Sequence, residues 1–475
     1  MSSHSPLSIT PGDTALPADG LPLPRRYLAM FAQLTAISMA VLDGGIMNIA
    51  LPSLADQFGS SPSHTIWIVT AYQLALVGAL FPLAALAESL GYRRMFIFGI
   101  VTFMLASLMC ALSPGLSWLV AARLFQGLGA AAVMCVSAGL VRHMYPLAQL
   151  GRGIGFNALC SALCSALGPT LGASILAFSD WPLLFLINLP LGVAVLMSCR
   201  ALPEVPGVRR RVDALSSGLN ALMFGLIVIA VDRLQEGFWL PLLLVAVAAV
   251  CGLWLVRREL PNTTPLIPLD LLRSPTFRQS VIVSICIFTA QMMTFIALPF
   301  YLQHQLGFNA LYTGLLLTPW SLAVACAAQL AGRMANRHSP SLLCAGGAAV
   351  MALALICAGL WPAQYALWPL LLCMIVGGAG FGFFQVPNNR TMLLSAPVAR
   401  SGAAGGMQAT ARQFGMAVGA ALMALLFSGA PSYAARLGLG IGGLFAIAAC
   451  LASLRNERYA RLARAAATVS YHSER

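Results

Sequence analysis

Acidic side chains are scarce in this sequence, and only one of them lies deep inside an apolar stretch. The 475 residues contain 14 Asp and Glu against 27 basic residues, all of which are arginine. Asp43 lies well inside the apolar run 28–50, whereas the other acids fall in polar segments or near the ends of apolar runs. A charged carboxylate at the centre of a membrane span costs about 2.5–3.5 kcal/mol on insertion scales. We therefore expect Asp43 to face a polar cavity or a cationic partner, and to be able to exchange between a charged and a protonated form.

Arg123 is the expected partner of Asp43, because each residue lies in the outer half of its apolar run. Helical spacing places Arg123 on one face with an amide and two small residues, which let another backbone approach closely: Gln126, Gly127 and Ala130. Two interpretations stay open. Asp43 either exchanges a proton as its surroundings change, or forms a permanent structural ion pair with an arginine.

The elements that carry these residues are predicted to be membrane-spanning helices. The chain is 59% hydrophobic and only 9% charged, with a mean hydropathy of +0.84, whereas soluble domains carry roughly 25% charged residues. This composition excludes a cytosolic enzyme, a nucleic-acid-binding protein and a disordered chain. The 12 cysteines are scattered through apolar runs without a zinc-binding spacing, so we interpret them as inert apolar residues.

Fourteen apolar runs are long enough to cross a bilayer, which takes about 20 helical residues. The sequence therefore predicts an all-α polytopic membrane protein. The runs are 28–50, 66–86, 95–113, 117–140, 154–178, 181–200, 213–231, 238–256, 278–302, 312–332, 341–361, 366–388, 403–428 and 436–454.

The arginines predict the orientation of these spans. With fourteen spans, twenty-three arginines fall on the side that holds both termini and two, Arg233 and Arg436, fall on the opposite side. Basic residues concentrate in cytoplasmic loops, so both termini are predicted to be cytoplasmic. The high basicity is thus interpreted as a topology signal and a contact with lipid headgroups, not as a nucleic-acid site. Arg123 and Arg412 fall inside spans; Arg412 has no acid in its own half and either snorkels or meets an acid from the other half.

The spans divide into six, two and six, which suggests two related halves with a substrate site between them. The predicted organisation is a flexible N-terminal tail, a six-helix bundle, a two-helix insert with its loops, a second six-helix bundle and a basic tail: 1–27, 28–201, 202–277, 278–455 and 456–475.

Two groups of polar residues are candidates for gating and for binding. An acid, a glycine and two arginines lie in the loop after the second span, where interdomain salt bridges could hold one conformation closed; alternatively they serve only as positive-inside charges. These residues are Glu88, Gly91, Arg93 and Arg94. Amide and aromatic side chains within the spans could line a path for cargo, although each alone suits packing or interface anchoring, and we expect about a third to do so. They are Gln33, Tyr72, Gln73, Gln126, Asn157, Gln291, Tyr301, Trp320 and Gln385.

In combination, several short motifs resemble those of major facilitator superfamily transporters, specifically the fourteen-span drug:proton antiporter branch. The resemblance covers about residues 28–455, and its motifs are 42–52 (LDGGIMNIALP), 67–72 (WIVTAY), 123–127 (RLFQG), 187–192 (INLPLG) and 387–390 (PNNR). It implies a fold of two six-helix bundles plus two inserted helices and a part for Arg123 in proton coupling. It also identifies Gly168, Pro169 and Gly172 as the antiporter motif, although these small residues equally suit close helix packing.

The resemblance implies a bacterial inner-membrane exporter that exchanges protons for toxic amphipathic compounds. Its expected partners are an amphipathic small molecule, protons and membrane lipid, with no cofactor and no nucleic acid; a periplasmic adaptor stays open. An exporter or importer of a specific metabolite is the first alternative, since fold does not fix substrate. A channel or non-transporting sensor is the second. No nucleophile–base pair or metal-binding set is visible, so an enzyme is not expected.

Overall fold

The computed structural model describes residues 20–146, 149–204, 213–233, 237, 239–260, 269–335, 337–361, 366–396 and 401–473, and the regular structure in them is helical. A short 3-10 turn, Cys199–Ala201, follows α7, and a π-helical turn, Tyr301–Gln305, extends α11. The helices are α1 Leu23–Gln57, α2 Pro62–Leu90, α3 Tyr92–Ala111, α4 Leu116–Met144, α5 Leu150–Phe178, α6 Leu183–Leu186, α7 Asn188–Ser198, α8 Ala214–Asp232, α9 Trp239–Glu259, α10 Leu269–Leu272, α11 Pro275–Phe300, α12 Ala310–Met334, α13 Pro340–Leu360, α14 Trp368–Leu394, α15 Ser401–Gly429 and α16 Ala434–Ser473.

Twelve helical segments within the described residues are long and apolar enough to cross a membrane, rather than the fourteen expected from the sequence. α6 and α7 together form one of the twelve, Leu183–Ala201. Within the described residues, α5 and α8 contribute the shorter apolar stretches Leu167–Phe178 and Leu215–Ala230, although the helices themselves have 29 and 19 residues. Each of the fourteen predicted runs nevertheless coincides with a helix.

The same packing scheme occurs twice along the chain. If α11 is taken as the equivalent of α1, five of the contacts between helices of the first set have counterparts in the second. The matching pairs are α1–α5 with α11–α15, α2–α4 with α12–α14, α3–α4 with α13–α14, α1–α7 with α11–α16, and α3–α7 with α13–α16. We refer to α1–α7 as the first bundle and to α11–α16 as the second bundle.

The two bundles contact each other reciprocally. α2 of the first bundle packs against α15 of the second, and α12 of the second packs against α5 of the first. At the α5–α12 contact the hydroxyls of Thr170 and Thr318 lie 2.6 Å apart. Small residues permit this approach, because a Cβ at Gly314 would overlap the Ala173 side chain and lie 3.0 Å from the carbonyl oxygen of Pro169.

At one end of the helices, the two bundles close over each other. We call this the closed end; it contains the turns after α1 and after α11. One buried apolar cluster there includes Leu54 of the first bundle and Phe300 of the second. Gln303 donates through Nε2 to the carbonyl oxygen of Ile49 at 3.2 Å, and His304 Nε2 lies 3.7 Å from Asp56 Oδ2.

α8 and α9 pack as a pair beside the two bundles, with α8 against α2 and α15. Asn220 of α8 donates to the carbonyl oxygen of Gly78 at 3.0 Å. At the start of α8, Arg258 Nε donates to Asp213 Oδ2 at 2.6 Å. That hydrogen bond, opposed by partial desolvation and assisted by one from Ser216, lowers the pKa of Asp213 to about 2. Hydrogen bonds therefore join α8 to α2 of the first bundle and join α8 and α9 to each other.

Replacing Gly314 by Val should loosen the contact between the bundles. The added side chain must displace Ala173 or the α5 backbone, and overpacking of this kind typically costs about 1–3 kcal/mol. Thermal unfolding in detergent should therefore show a lower midpoint for Gly314→Val than for the wild type. Gly346→Val is the matched control, because a Cβ at Gly346 meets no atom within 4 Å. An equal loss in both variants would show that helix propensity, and not the interbundle contact, is the cause.

Candidate proton-coupling site and central cavity

The structure brings Asp43 and Arg123 together in a fully buried ion pair. Arg123 Nη1 contacts Asp43 Oδ2, and Gln126 Nε2 donates to Asp43 Oδ1 at 2.8 Å. Both carboxylate oxygens therefore have a partner. Asp43 is 4% exposed, and neither Arg123 nor Gln126 has any exposed surface. In this conformation the carboxylate is sealed away from water and does not face a cavity.

Side chains from four helices and a backbone carbonyl from a fifth form this pair and its surroundings. Arg123 Nη1 also donates to Gln126 Oε1 at 2.6 Å, and Arg123 Nε donates to the carbonyl oxygen of Ile68 at 3.0 Å. Gln126 Nε2 donates in addition to Ser107 Oγ at 3.0 Å, which Asn188 Nδ2 reaches at 3.4 Å. We call Asp43, Arg123, Gln126, Ser107 and Asn188 the polar network; its members come from α1, α3, α4 and α7, and Ile68 belongs to α2.

One aromatic side chain completes the surroundings of the guanidinium. The Arg123 Cζ lies 4.3 Å from the ring centroid of Tyr72, and the Tyr72 hydroxyl donates to the carbonyl oxygen of Ala40 at 3.2 Å. A cation over an aromatic face gains stability when it is desolvated. Arg123 Nη2 has no hydrogen-bond partner within the described residues. A buried donor without an acceptor is costly. The ion pair is therefore held by several contacts, but one donor group of Arg123 stays unsatisfied.

The antiporter motif packs directly against the helix that carries Asp43. A Cβ at Gly168 would lie 3.1 Å from the Cα of Gly45, and a Cβ at Gly172 would lie 2.8 Å from Ile49 Cγ2. Pro169, in the same turn of α5, contributes its carbonyl oxygen to the contact with Gly314 described above. These small residues therefore bring α1, α5 and α12 into backbone contact beside Asp43. The structure shows the packing; a part in antiport stays a prediction.

The loop between α2 and α3 makes its described salt bridge within the first bundle. Gly91 has φ +92°, a conformation that favours glycine, and it joins the two helices. Arg93 contacts the carboxylate of Glu204 in the segment after α7, whereas Glu88 and Arg94 are exposed. A gating role for these four residues stays a prediction.

The predicted lining residues are distributed over several environments. Tyr72 and Gln126 belong to the surroundings of Asp43. Gln33 and Asn157 meet at Ser137, donating to its Oγ at 2.6 Å and 3.1 Å. The remaining buried members are Gln73, Gln291, Tyr301 and Trp320. Gln385 differs from these, because it lines a cavity.

This cavity of about 150 Å³ lies in the second bundle and contains the site residues that sequence reasoning did not identify. It is formed by Phe288 of α11, Gln385 and Asn389 of α14, and Gly405, Gln408, Ala409 and Arg412 of α15. Gln385 and Asn389 are four residues apart, as are Gln408 and Arg412, so each pair shares a helix face. That spacing is a signal that could have pointed to the cavity. Arg412 does not meet an acid there, and its Nε has no hydrogen-bond partner within the described residues.

Residues 34–420 match the Major Facilitator Superfamily. The chain belongs to this family. It is therefore a multi-pass membrane transporter of a bacterial family, and a transport role rather than an enzymatic one follows.

Similar proteins within the family differ in what their names say they carry. The "Uncharacterized transporter YebQ" of Escherichia coli (strain K12) is 46% identical over 448 residues, covering 92% of this chain and 97% of that protein. The "Riboflavin transporter RibZ" of Clostridioides difficile (strain 630) is 28% identical over 86% of this chain and 90% of its own. The "Puromycin resistance protein pur8" of Streptomyces alboniger is 30% identical over 86% and 83%.

Solved structures show the same fold. A POT family transporter in complex with a thioalcohol-conjugated peptide has a TM-score of 0.70, with 91% of this chain and 96% of that chain covered at 16% sequence identity. At that identity the likeness concerns the arrangement of helices alone.

Replacing Arg123 by Met should destabilise the protein strongly, because it leaves Asp43 buried without a counter-charge. Removal of one partner from a buried ion pair typically costs about 3–5 kcal/mol. We expect a lower midpoint of thermal unfolding in detergent. The double variant Asp43→Asn/Arg123→Met should recover most of the loss. A single and a double variant of equal stability would contradict the ion pair.

Proposed function

We propose that this transporter exports amphipathic toxic compounds across the bacterial inner membrane in exchange for protons, by alternating access. The observation that carries the proposal is the buried network around Asp43, which is the one acid deep inside a described span. Arg123 and Gln126 contact both oxygens of the carboxyl, so addition of a proton there would alter the contacts that hold α1 against α4. Binding or release of a proton at Asp43 therefore shifts the balance between two conformations.

α1 connects the proposed protonation site at Asp43 to the closed end of the bundles. The same helix carries Asp43, the glycine that packs on the antiporter motif, and Ile49, whose carbonyl oxygen accepts from Gln303 at the closed end. Protonation removes the charge that Arg123 and Gln126 hold in place, which frees α1 to shift relative to α4. Such a shift changes the contacts that hold the two bundles together at the closed end. Drug-resistance proteins among the relatives are consistent with export as the direction.

Transport of a specific metabolite is the second candidate. The similarity to a riboflavin transporter over most of both chains favours it. The two candidates differ in breadth, because a multidrug exporter should protect cells from several unrelated compounds, whereas a metabolite transporter should not. Neither candidate requires a cofactor; a periplasmic adaptor is compatible with both.

We also propose that α5 and α8 cross the membrane, which gives fourteen spans with both termini in the cytoplasm and assigns the closed end to the periplasmic side. The distribution of arginines and the coincidence of all fourteen runs with helices support this.

Reporter fusions test that topology, because each additional crossing moves the fusion point to the opposite side of the membrane. Green fluorescent protein fused after residue 204 or 260 should fluoresce, whereas alkaline phosphatase should be active when fused after residue 236. Full-length fusions at the C-terminus should fluoresce. A fluorescent fusion after residue 236 would show that α8 does not cross.

Replacing Asp43 by Asn should abolish proton-coupled export while the protein stays folded. Asparagine matches the size of the side chain and keeps one acceptor oxygen in place of two, but it cannot take up a proton for exchange. The measurement is substrate-induced proton release from protein purified in detergent, together with efflux from cells, across a panel of amphipathic compounds. Asp180→Asn is the control, because Asp180 is an exposed residue of the turn before α6.

Unchanged efflux and unchanged proton release in Asp43→Asn would exclude Asp43 as the coupling group. Protection against one compound alone, with proton coupling intact, would favour the metabolite candidate over multidrug export.

A further inference from the structure

The cavity of the second bundle carries an unusual combination of polar groups. Three amide side chains, Gln385, Asn389 and Gln408, surround it together with the guanidinium of Arg412. Among the neighbouring residues of this bundle, Asn388 already donates to Ser284 Oγ at 2.7 Å, so it is a packing residue. Asn389, the next residue in the same motif, is the one that lines the cavity. Of the two asparagines in the 387–390 motif, Asn388 therefore takes part in helix packing and Asn389 lines the cavity.

Arg412 is a half-buried cation with no acidic counter-charge among the described residues of this region. The sequence contains no acidic residue between Asp270 and Glu457, so neither α14 nor α15 can supply one. Asp43 of the first bundle is already occupied on both oxygens by Arg123 and Gln126. Arg412 Nε is buried and has no hydrogen-bond partner within the described residues. An uncompensated buried charge is costly, and a bound anion relieves that cost.

The walls of the cavity suit a flat aromatic molecule with an oxygen-rich end. Gly405 and Ala409 leave space on the α15 side, and Phe288 presents a ring from α11. The guanidinium fork matches the two oxygens of a carboxylate, and the amides can donate to further carbonyl or phenolate oxygens. A volume of about 150 Å³ is below the roughly 300–1,000 Å³ of a whole drug site. The cavity is therefore sized for the head group of a larger molecule.

The aromatic side chains that could attract a cationic cargo are already engaged. The face of Tyr72 is covered by Arg123, at 4.3 Å from its centroid. Trp320 is buried and packs edge-on against Phe295 with centroids 5.9 Å apart. Among the described residues that line the cavity, Phe288 is the one aromatic side chain, and the positive charge of Arg412 in the same wall opposes a cationic ligand.

We infer that the cavity binds the anionic, oxygen-bearing head group of an aromatic amphipathic cargo, a carboxylate or acidic phenol, through Arg412. This rests on the proposed transport function and narrows its substrate class. It predicts that organic anions are better ligands than organic cations of similar shape.

Two planar xanthene dyes of opposite charge test the inference: fluorescein as the anion and rhodamine 6G as the cation. Binding to the full-length protein purified in detergent is measured by fluorescence anisotropy. The wild type should bind fluorescein about tenfold or more tightly than rhodamine 6G. Arg412→Gln should weaken fluorescein binding by about tenfold or more, as expected for loss of a hydrogen bond to a charged group. Its affinity for rhodamine 6G should change little, and Arg412→Lys should retain part of the preference.

Controls separate this inference from the coupling mechanism and from misfolding. Arg436→Gln should bind both dyes as the wild type does, because Arg436 donates to the carbonyl oxygen of Gly359, outside the cavity. Asp43→Asn should also keep its preference for fluorescein even where proton coupling is lost. If Asp43→Asn keeps proton coupling while Arg412→Gln loses fluorescein binding, the coupling proposal is contradicted and the cavity inference is not. Equal affinities of the wild type for both dyes, no saturable fluorescein binding, or an unchanged Arg412→Gln would overturn the inference.

Discussion

The cost of placing one carboxylate in a hydrocarbon environment governs the arrangement of the first bundle. Asp43 is tolerable only if both of its oxygens find donors, and those donors come from Arg123 and Gln126 on α4. Arg123 in turn requires an acceptor on α2, and Gln126 one on α3. Each requirement fixes the rotation of a further helix about its own axis. Four helices thus converge on a single side chain.

Much of this could be predicted from residue types and helical spacing. Asp43 stood out by its depth in an apolar run, and Arg123 by its matching depth; the ion pair between them was one of the two interpretations left open. Gln408 was not identified, and Asn389 and Arg412 were singled out without a place in a cavity, because a polar residue on a helix face gives no sign of whether another helix covers it. The number of spans was predicted from apolar runs: twelve segments within the described residues meet the length and hydropathy of a crossing, and each of the fourteen runs coincides with a helix.

The two arginines within the helices show opposite electrostatic solutions. Arg123 has a carboxylate, an amide, a backbone carbonyl and an aromatic face around it. Arg412 has amides at the cavity wall and an unpartnered Nε. A charge that is satisfied within the protein stabilises one conformation, whereas a charge left without a partner favours an incoming ligand. The proposed coupling site and the proposed cargo site thus lie in different bundles.

This division bears on how a proton could control the gate. Asp43 and Arg123 lie in the same bundle, so a rigid rotation of one bundle against the other leaves their ion pair intact. Conformational control of Asp43 then acts first through access of water to the network, and the shift of α1 relative to α4 follows once the carboxyl is protonated. The backbone seam at Gly45, Gly168 and Gly314 lies beside Asp43, and one side of it belongs to the second bundle. Movement of α12 away from α5 removes support from that seam, and this makes exposure of the carboxyl a consequence of the same motion that separates the bundles at the closed end.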